Sequence, residues 1–368
     1  MTEPLSVRLS ADPWPGVADA RRRAADHPDG AIDLSIGAPV DPTPQLAVEA
    51  LSAAGNSPGY PTVAGAGAVR DAIAGYLHRR CRAVVDPSAC MPTIGTKELI
   101  GLLPTLLDLT PDDLVVIPAA AYPTYRVGAQ VVGCEVVATD DLTSLGDRAP
   151  KLVWLNYPGN PTGRIPTVAD FRSQVAWARE RGAIVASDEC YLEFGWDAEA
   201  VSVLDEQICG GDQTGLLAVH SLSKTGNFAG GRFGFAAGDA ELIADLTAIR
   251  RHLGMMVPRP VQQAAIALLG DDDHVRQQRE RYAGRRVILR TALEGSGWQI
   301  DDSEGGLYLW ARNGTDCWTN LRQLADRGIV VAPGQMYGDA GRDHVRFALT
   351  ATDQQISAAA ERLIANWA

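Results

Sequence analysis

The chain has 368 residues, of which 46% are hydrophobic and 21% are charged, and its formal net charge is −12. At roughly 150 residues per domain, this length predicts two or three domains with a substantial core. The composition excludes an intrinsically disordered protein. The negative charge argues against a nucleic-acid partner, because binding to a phosphate backbone requires a basic face.

Neither the apolar runs nor the cysteines point to a membrane or to an oxidising environment. No apolar stretch approaches the roughly 18 residues of a membrane span without a charge or a turn residue. The first 30 residues contain Asp12, Pro13 and three arginines at 21–23, which is not the pattern of a signal peptide. The six cysteines form no CxxC pair, so we expect no zinc site and no disulfide framework. We predict a cytoplasmic protein with no membrane partner and no metal.

Short apolar runs bounded by turn residues alternate with helical patterns in the middle of the chain. The predicted strands are 114–117, 135–138, 152–155, 184–186, 217–219 and 233–236. Such alternation is typical of an α/β domain with a mostly parallel sheet flanked by helices.

One helix between these strands is well marked in the sequence. Phe171, Val175 and Ala178 recur at the spacing of one helix face. Thr167 can cap the N-terminus of this helix, and Gly182 can end it. We therefore predict a capped helix between the third and fourth of the predicted strands.

The pattern changes beyond about residue 255. The predicted elements there are a long charged helix at about 260–293, an apolar segment at 305–310, a helix that ends at Gly328 and a strand at 344–349. We predict an N-terminal arm with part of a small domain (1–40), a large α/β domain (41–255) and a C-terminal small α+β domain (256–368). Pro13, Pro15 and Gly16 permit the arm to turn.

Polar residues follow three of the predicted strands directly. Asn160, Asp188 and the segment 221–224 each come just after an apolar run. In open α/β sheets, ligands bind beyond the carboxyl ends of the strands. These three stretches are therefore expected to meet in one crevice.

The segment Ser221-Leu-Ser-Lys224, with Arg232 downstream, predicts the chemistry of that crevice. Pyridoxal phosphate (PLP) needs a lysine that forms an imine with its aldehyde and then acts as base and acid on the substrate. Lys224 is the candidate, and the Ser221 and Ser223 hydroxyls and the Arg232 guanidinium can bind one phosphate. A lone lysine after two serines is usually a surface residue, so the prediction depends on the combination of Lys224 with these phosphate-binding side chains.

Three further residues suit the ring of this coenzyme. A carboxylate beside the pyridine nitrogen keeps it protonated, and Asp188 is well placed for that role. Asn160 and Tyr191 can donate hydrogen bonds to the ring oxygen. Taken alone, an aspartate such as Asp188 more often caps a turn at a strand end, and Asn160-Pro-Thr-Gly163 is most often just a turn.

A further phosphate contact is predicted at Gly95-Thr96-Lys97, which precedes an apolar helical pattern. A phosphate at that helix N-terminus meets free backbone N–H groups and the positive end of the helix dipole. The alternative is a simple capping turn. Pro104 is expected to bend or shorten the helix.

Arg346 lies in the apolar strand predicted at 344–349. An arginine in such a setting is either a salt-bridged structural residue or a clamp for the α-carboxylate of a substrate, for which bidentate geometry is suited. The residues alone leave both alternatives open.

Together these motifs, in this order and over nearly the whole chain, resemble the class I/II aminotransferases of PLP fold type I. The resemblance implies a large domain with a mostly parallel seven-stranded sheet flanked by helices, a smaller α+β domain, and a homodimer with shared active sites. It implies that Lys224 binds PLP covalently, that Asp188 pairs with the ring nitrogen, and that Asn160 and Tyr191 bind the ring oxygen. The other implied roles are phosphate binding by Ser221, Ser223 and Arg232, ring stacking by Tyr122, carboxylate binding by Arg346, close substrate approach at Gly37, and a phosphate contact in the partner subunit by Tyr60.

Within this family, five stretches look like bacterial N-succinyldiaminopimelate aminotransferases: 33–42, 94–100, 121–125, 220–224 and 254–258. The likeness implies amino transfer from N-succinyl-LL-2,6-diaminoheptanedioate to 2-oxoglutarate in lysine and diaminopimelate biosynthesis. Gly306-Leu307-Tyr308 departs from the family pattern of a glycine or alanine followed by an aromatic residue, which changes the pocket. Candidate cations for the distal end of the substrate are Lys97, Arg126 and Arg259.

Other functions stay open at this point. The same cofactor residues serve an aminotransferase of aspartate, of aromatic amino acids or of broad range, and they serve a carbon–sulfur β-lyase. A PLP-fold transcriptional regulator is a third class, but such regulators carry a basic DNA-binding segment. No such segment is seen in this sequence.

Overall fold

The structure, a computed structural model, describes residues 4, 5, 9 and 14–365. Asp12 and Pro13 of the predicted arm lie outside the described residues. Pro15 and Gly16, where we expected a turn, belong instead to the first turn of a helix that begins at Trp14, a position at which proline is tolerated because it lacks only an unpaired N–H. Across the described part of the chain, none of the helices has the length and apolar character that a membrane span requires.

The elements are numbered in chain order. The helices are α1 (Trp14–Ala25), α2 (Gln45–Ala53), α3 (Gly67–Cys81), α4 (Thr96–Leu106), α5 (Pro123–Val132), α6 (Val168–Glu180), α7 (Glu206–Cys209), α8 (Leu222–Thr225), α9 (Ala240–His252), α10 (Arg259–Gly270), α11 (Asp273–Gly295), α12 (Cys317–Ala325) and α13 (Asp353–Ile364). The strands are β1 (Ile32–Asp33), β2 (Cys90–Thr93), β3 (Leu114–Ile117), β4 (Glu135–Ala138), β5 (Leu152–Asn156), β6 (Ile184–Asp188), β7 (Leu216–Ser221), β8 (Gly234–Gly238), β9 (Gln299–Asp301), β10 (Tyr308–Arg312), β11 (Ile329–Val330), β12 (Ala332–Pro333) and β13 (Val345–Ala348).

The large domain is built on a seven-stranded sheet of order β2-β8-β7-β6-β5-β3-β4. Its strands are parallel except for β8, which is antiparallel to both of its neighbours. Strands β3, β5 and β7 are buried along their whole length, as expected of a sheet covered by helices on both faces. This confirms the predicted α/β fold with a mostly parallel seven-stranded sheet.

All six predicted strands are present. Strands β3 and β4 have the predicted bounds, and the other four differ by one or two residues at an end. Strand β2 was not predicted, because its Pro92 interrupts the apolar pattern; it lies at the edge of the sheet, where proline is tolerated.

Helix α6 forms as its sequence predicts. The Thr167 side chain accepts a hydrogen bond from Asp170 N, and Phe171, Val175 and Ala178 are its buried residues. Gly182 follows the last turn with a φ of 66°, a conformation in which a side chain would be strained.

The single long helix predicted at 260–293 is wrong, because the structure has two helices there, α10 and α11. The break falls at Asp271, which has an extended backbone and accepts a hydrogen bond from His274 N through its side chain, at 3.0 Å. Aspartate at such a position competes for the backbone donors that would continue the helix.

Helix α10 packs with the large domain. Its Ala264, Ala265 and Leu268 are buried in the core that contains Val69 and Ile73 of α3. The apolar face of α10 covers α2 and α3. This helix lies beyond the predicted limit at residue 255, but it packs with the large domain. We place the limit after Gly270.

The small domain has its own core and a four-stranded sheet of order β12-β13-β10-β9, all antiparallel. Helices α11 and α13 pack together against it, and Val17 of α1 and Leu34 belong to the same core. Strand β1 pairs with β11 in parallel. The residues after β1 leave this domain toward the carboxyl ends of the large sheet.

Candidate active site

Lys224 lies directly beyond the carboxyl end of β7, in the short helix α8. The Ser221 side chain caps this helix by accepting a hydrogen bond from Ser223 N at 3.1 Å. The Lys224 Nζ donates to the carbonyl oxygen of Gly37. Burial lowers the pKa of Lys224, which favours the neutral amine that a nucleophile or general base requires.

The sheet register brings a second segment beside Lys224. Gly234 of β8 pairs with Thr93 on one side and with Ser221 on the other. The chain that continues from Thr93 into α4 and the chain that continues from Ser221 into α8 therefore leave the sheet side by side. The start of α4 and the start of α8 lie at the same edge of the sheet, one on each side of β8.

The guanidinium of Arg232 lies against the N-terminus of α4. A Cβ on Gly95, the residue that caps α4 with a φ of 69°, would come within 2.3 Å of Arg232 Nη2. Arg232 Nη1 donates to the carbonyl oxygen of Ala229 at 2.8 Å, which holds the side chain in place. A fixed guanidinium beside free helix N–H groups fits a phosphate group, so these residues fit the phosphate end of PLP.

Thr96 and Lys97 are the first two residues of α4, so their main-chain N–H groups are among the unpaired donors of that helix start. Lys97 is exposed, and its side chain forms no hydrogen bond or ion pair with the rest of the described chain. Its expected contribution to phosphate binding is therefore its backbone. Helix α4 ends at Leu106, two residues after Pro104.

Asp188, at the end of β6, is a buried carboxylate held by two donors. Tyr125 donates from its hydroxyl to Asp188 Oδ2 at 2.7 Å, and Cys190 N donates to Oδ1 at 3.2 Å. Burial raises the pKa of Asp188, while the hydrogen bonds from Cys190 and Tyr125 oppose that rise. A buried carboxylate is costly without a cationic partner, and a protonated ring nitrogen would supply one.

Two aromatic residues at the start of α5 lie near this carboxylate: Tyr122, which directly precedes the helix, and Tyr125 in its first turn. Tyr125 is fully buried and stacks on Trp154 with ring centroids 4.8 Å apart. The Tyr122 ring meets the Tyr125 ring edge-on, at 5.7 Å. The sequence singled out Tyr122 alone; Tyr125 looked like a core residue, and its only signal was the short spacing from Tyr122.

Asn160 and Arg346 are in direct contact. Arg346 Nη1 donates to Asn160 Oδ1 at 2.7 Å, and Nη2 donates to the carbonyl oxygen of Ser35 at 2.7 Å. Because Oδ1 faces the guanidinium, the Asn160 amide N–H groups point away from it and are available as donors. The Asn160 main chain is held by Asn156 Oδ1, which accepts from Asn160 N at 2.7 Å. Asn156, a residue that the sequence did not single out, also donates to the Asp188 carbonyl oxygen at 2.8 Å.

Arg346 is 5% exposed and lies in an aromatic cage. Its Cζ is 3.9 Å from the centroid of the Tyr308 ring and 5.0 Å from that of Tyr337. Within residues 14–365, no aspartate or glutamate forms an ion pair with Arg346, and its Nε has no hydrogen-bond partner. A structural salt bridge is therefore not what holds this arginine. A buried guanidinium with spare donors suits an incoming carboxylate.

Tyr191 and Tyr308 join hydroxyl to hydroxyl at 2.9 Å. The Tyr308 hydroxyl also explains why residue 37 is a glycine, because a Cβ on Gly37 would lie 2.1 Å from that hydroxyl. Leu307, by contrast, is buried in the small-domain core. Of the segment 306–308, which differs from the family pattern, Tyr308 thus lies in the site and Leu307 does not.

Tyr60 is placed apart from the other predicted residues. It is 91% exposed and forms no hydrogen bond with any residue that the structure describes. Its loop is tied to the start of α10, where Gln262 Oε1 accepts a hydrogen bond from Ala66 N at 3.0 Å, and Arg259 in that first turn is also exposed. Both exposed side chains are available to a second molecule.

Comparison with known proteins places these features in a family. The model of the class I and II aminotransferases matches residues 29–363. A probable aminotransferase of Mycobacterium tuberculosis is 54% identical over 360 residues, which are 98% of this chain and 86% of that protein. The 4-dedimethylamino-4-oxo-anhydrotetracycline transaminase of Streptomyces rimosus is 52% identical over 351 residues, or 95% of this chain and 98% of that protein. A solved structure of a probable N-succinyldiaminopimelate aminotransferase from Thermus thermophilus superposes with a TM-score of 0.87 at 29% identity, over 96% of this chain and 99% of the other.

Proposed function

The chain belongs to the class I and II aminotransferase family, and from this membership we propose its substrates. It is a PLP-dependent aminotransferase of fold type I. We propose that it transfers the amino group of N-succinyl-LL-2,6-diaminoheptanedioate to 2-oxoglutarate, which gives N-succinyl-2-amino-6-oxoheptanedioate and glutamate. The likeness to the Thermus thermophilus structure supports this pair, as do the five sequence stretches noted above.

The observation that carries the proposal is the state of Arg346. It is buried, it has no carboxylate partner among the described residues, and its Nε has no hydrogen-bond partner. Both proposed substrates present an α-carboxylate, and binding it would supply the missing counter-charge. The Tyr308 and Tyr337 rings pack against the guanidinium and restrict its motion, so the acid would be bound in one orientation.

The proposed reaction gives each of these side chains a separate role. Bound PLP supplies an electron sink for the substrate α-carbon. Asp188 holds the proton of the ring nitrogen, and Asn160 and Tyr191 donate to the ring oxygen. Lys224 Nζ would accept the proton of the substrate α-carbon and hold it for the second proton transfer, since its lowered pKa keeps the amine available. Arg346 fixes the carboxylate while this proton moves.

The distal end of each substrate carries further carboxylate groups and needs a cation. Of the candidates in the sequence, Arg259 is exposed in the first turn of α10, and the loop that contains Tyr60 is tied to that turn by the Ala66 to Gln262 hydrogen bond. We propose a homodimer in which Tyr60 and Arg259 of each subunit reach the active site of the partner. Lys97 and Arg126 remain secondary candidates. The cytoplasmic location stays a prediction.

A second candidate function rests on the transaminase of Streptomyces rimosus, whose name gives a tetracycline intermediate as its substrate. At 52% identity over nearly the full length of both chains, this relative supports an oxo group on a polycyclic ring as the amino acceptor. Aspartate, aromatic amino acids and a carbon–sulfur β-lyase reaction are further alternatives. All of them use the same coenzyme residues, so only a substrate comparison separates them.

The test is a panel of amino donors and acceptors assayed with the wild type and with Arg346→Gln. We expect N-succinyl-LL-diaminopimelate to have the highest kcat/KM, and Arg346→Gln to lower that value by about 10- to 100-fold, the worth of a charged hydrogen-bond pair. Arg276→Gln, which alters an exposed arginine paired with Asp273, is the matched control and should change nothing. A higher kcat/KM for another donor, or ammonia and pyruvate released from a cysteine conjugate, would refute the proposed substrate.

A further inference from the structure

The hydroxyl pair of Tyr191 and Tyr308 has a role that the reaction scheme above does not use. Both residues are buried, at 7% and 3% exposure, and both side chains belong to the small-domain core. Tyr191 follows β6 of the large domain, and Tyr308 begins β10 of the small domain. The 2.9 Å contact therefore joins the segment that follows β6 of the large sheet to a strand of the small sheet, inside the active site.

Tyr308 is held rigidly from three directions. Its main chain pairs with Ala348 in the small-domain sheet, the Arg346 guanidinium covers its ring at 3.9 Å, and Gly37 lies against its hydroxyl. A tyrosine fixed in this way has its oxygen at a set position, so the direction of its proton is the only freedom left.

The direction of that proton follows from the available acceptors. Each hydroxyl can donate one hydrogen bond and accept others. Among the described residues, the Tyr308 hydroxyl has no hydrogen-bond partner except the Tyr191 oxygen. If Tyr191 donates to the coenzyme ring oxygen, its own oxygen is left as the acceptor for Tyr308. The two protons then point the same way, from Tyr308 to Tyr191 to the ring oxygen, and each bond polarises the next.

We propose that Tyr308 is a positioning residue for Tyr191, whose oxygen accepts the Tyr308 proton so that the Tyr191 proton is directed at the coenzyme. This inference rests on the proposed contact between Tyr191 and the ring oxygen. Burial and the neighbouring Tyr308 raise the pKa of Tyr191, so Tyr191 stays protonated and can act as this donor. Removal of the Tyr308 hydroxyl would leave Tyr191 free to rotate its proton and would weaken its bond to the ring oxygen.

The test is the pH titration of the visible absorbance of the PLP-loaded protein without substrate, for Tyr308→Phe, Tyr191→Phe and the double variant. A weaker donor to the ring oxygen raises the pH at which the coenzyme absorbance changes. We expect Tyr308→Phe to raise this midpoint by about 0.5 to 1 pH unit, the effect of one ordinary hydrogen bond. Tyr191→Phe should raise it further, and the double variant should match Tyr191→Phe, because Tyr308 acts only through Tyr191.

Tyr76→Phe is the matched control, since it also removes a buried tyrosine hydroxyl that forms a hydrogen bond, here to Glu193 at 3.0 Å. It should leave the midpoint unchanged. A shift with Tyr191→Phe but none with Tyr308→Phe would make Tyr308 a packing residue and overturn the inference. No shift with Tyr191→Phe would overturn it for a different reason, because the proposed contact of Tyr191 with the ring oxygen would then be wrong. Additive shifts in the double variant would mean that Tyr308 acts on the coenzyme independently of Tyr191.

Discussion

Arg346 Nη1 donates to Asn160 Oδ1 at 2.7 Å, across 186 positions of sequence. The residue proposed to hold the substrate carboxylate thus touches the residue proposed to hold the coenzyme ring oxygen. The first lies in the small domain and the second in the large one, so this hydrogen bond also joins the two domains.

Asn160→Asp places a carboxylate beside the unpaired guanidinium. We expect it to neutralise Arg346 from within the chain and to compete with the substrate, so that the KM for the amino donor rises by about 10- to 100-fold. The coenzyme-free variant should unfold at a higher temperature than the wild type, since a buried charge gains a partner. Asn160→Ala removes the amide without adding a charge and should not raise the unfolding temperature. An unchanged KM in Asn160→Asp would mean that Arg346 does not bind the carboxylate.

Asp188→Asn should change stability with a defined dependence on pH. Burial raises the pKa of Asp188, so the folded coenzyme-free protein binds this proton more tightly than the unfolded chain does. The stability that comes from the neutral carboxyl is present at low pH and is lost as the pH rises through the folded-state pKa. Asparagine does not titrate, so the variant does not lose this stability. Its free energy of unfolding relative to that of the wild type should therefore increase as the pH rises.

Thermal unfolding of the coenzyme-free proteins across the acidic to neutral range measures this difference. Asp316→Asn is the contrasting control, because hydrogen bonds from Thr319 lower the pKa of Asp316 and the relative stability of that variant should fall as the pH rises. Asp188→Asn should also release PLP more readily, since the ring nitrogen loses its carboxylate. A stability difference that is flat with pH would contradict the raised pKa.

Gly37→Ala tests the packing around the Tyr308 hydroxyl. The new Cβ would lie 2.1 Å from that hydroxyl, so we expect a destabilisation of about 1–3 kcal/mol, typical of overpacking. Tyr308→Phe in the same chain should restore part of it, because the closest atom is removed. Gly284→Ala, at an exposed helix position with open space around it, should instead stabilise by roughly 0.5–1 kcal/mol. Chemical denaturation measures these changes. If Gly37→Ala destabilised the wild type and the Tyr308→Phe variant equally, the result would argue against a contact between Gly37 and the Tyr308 hydroxyl.

Mixing two inactive variants tests the proposed shared site. Lys224→Ala removes the amine of one subunit, and Tyr60→Ala removes the side chain expected to reach the partner. In a mixed dimer, one site has Lys224 from one subunit and Tyr60 from the other, and the second site lacks both. Activity should therefore appear when the two weak proteins are unfolded together, refolded and assayed. No gain over the separate proteins would mean that Tyr60 serves its own subunit or lies outside the site.

The sequence predicted the sheet well because its strands are apolar along their whole length. Runs such as 114–117 are buried on both faces, and burial of that kind leaves a continuous apolar pattern. The break between α10 and α11 was missed because the helical periodicity resumes only two residues after Gly270. The packing of α10 on the large-domain core could not be predicted either, since the sequence shows that α10 is amphipathic but not which core it covers.

In the site, residues with a distinctive chemistry next to a strand end were predicted, but three buried tyrosines were missed. Lys224 and Asp188 stand out because a charge directly follows an apolar run. Tyr125, Tyr308 and Tyr337 look like core residues in sequence, and what gives them a role is a contact that the sequence does not display. The Tyr191 to Tyr308 contact spans 117 positions, so only the folded chain reveals it.

The most direct test of the proposed reaction is the absorbance spectrum of the PLP-loaded protein, recorded before and after addition of N-succinyl-LL-diaminopimelate and again after 2-oxoglutarate. We expect the visible band of the coenzyme to disappear with the amine and to return with the keto acid, which are the two halves of an amino transfer. Lys224→Ala, with the fold checked by circular dichroism, should not complete this cycle. A band that glutamate removes but that N-succinyl-LL-diaminopimelate leaves unchanged would contradict the proposed substrate and leave an aminotransferase of a different amino acid.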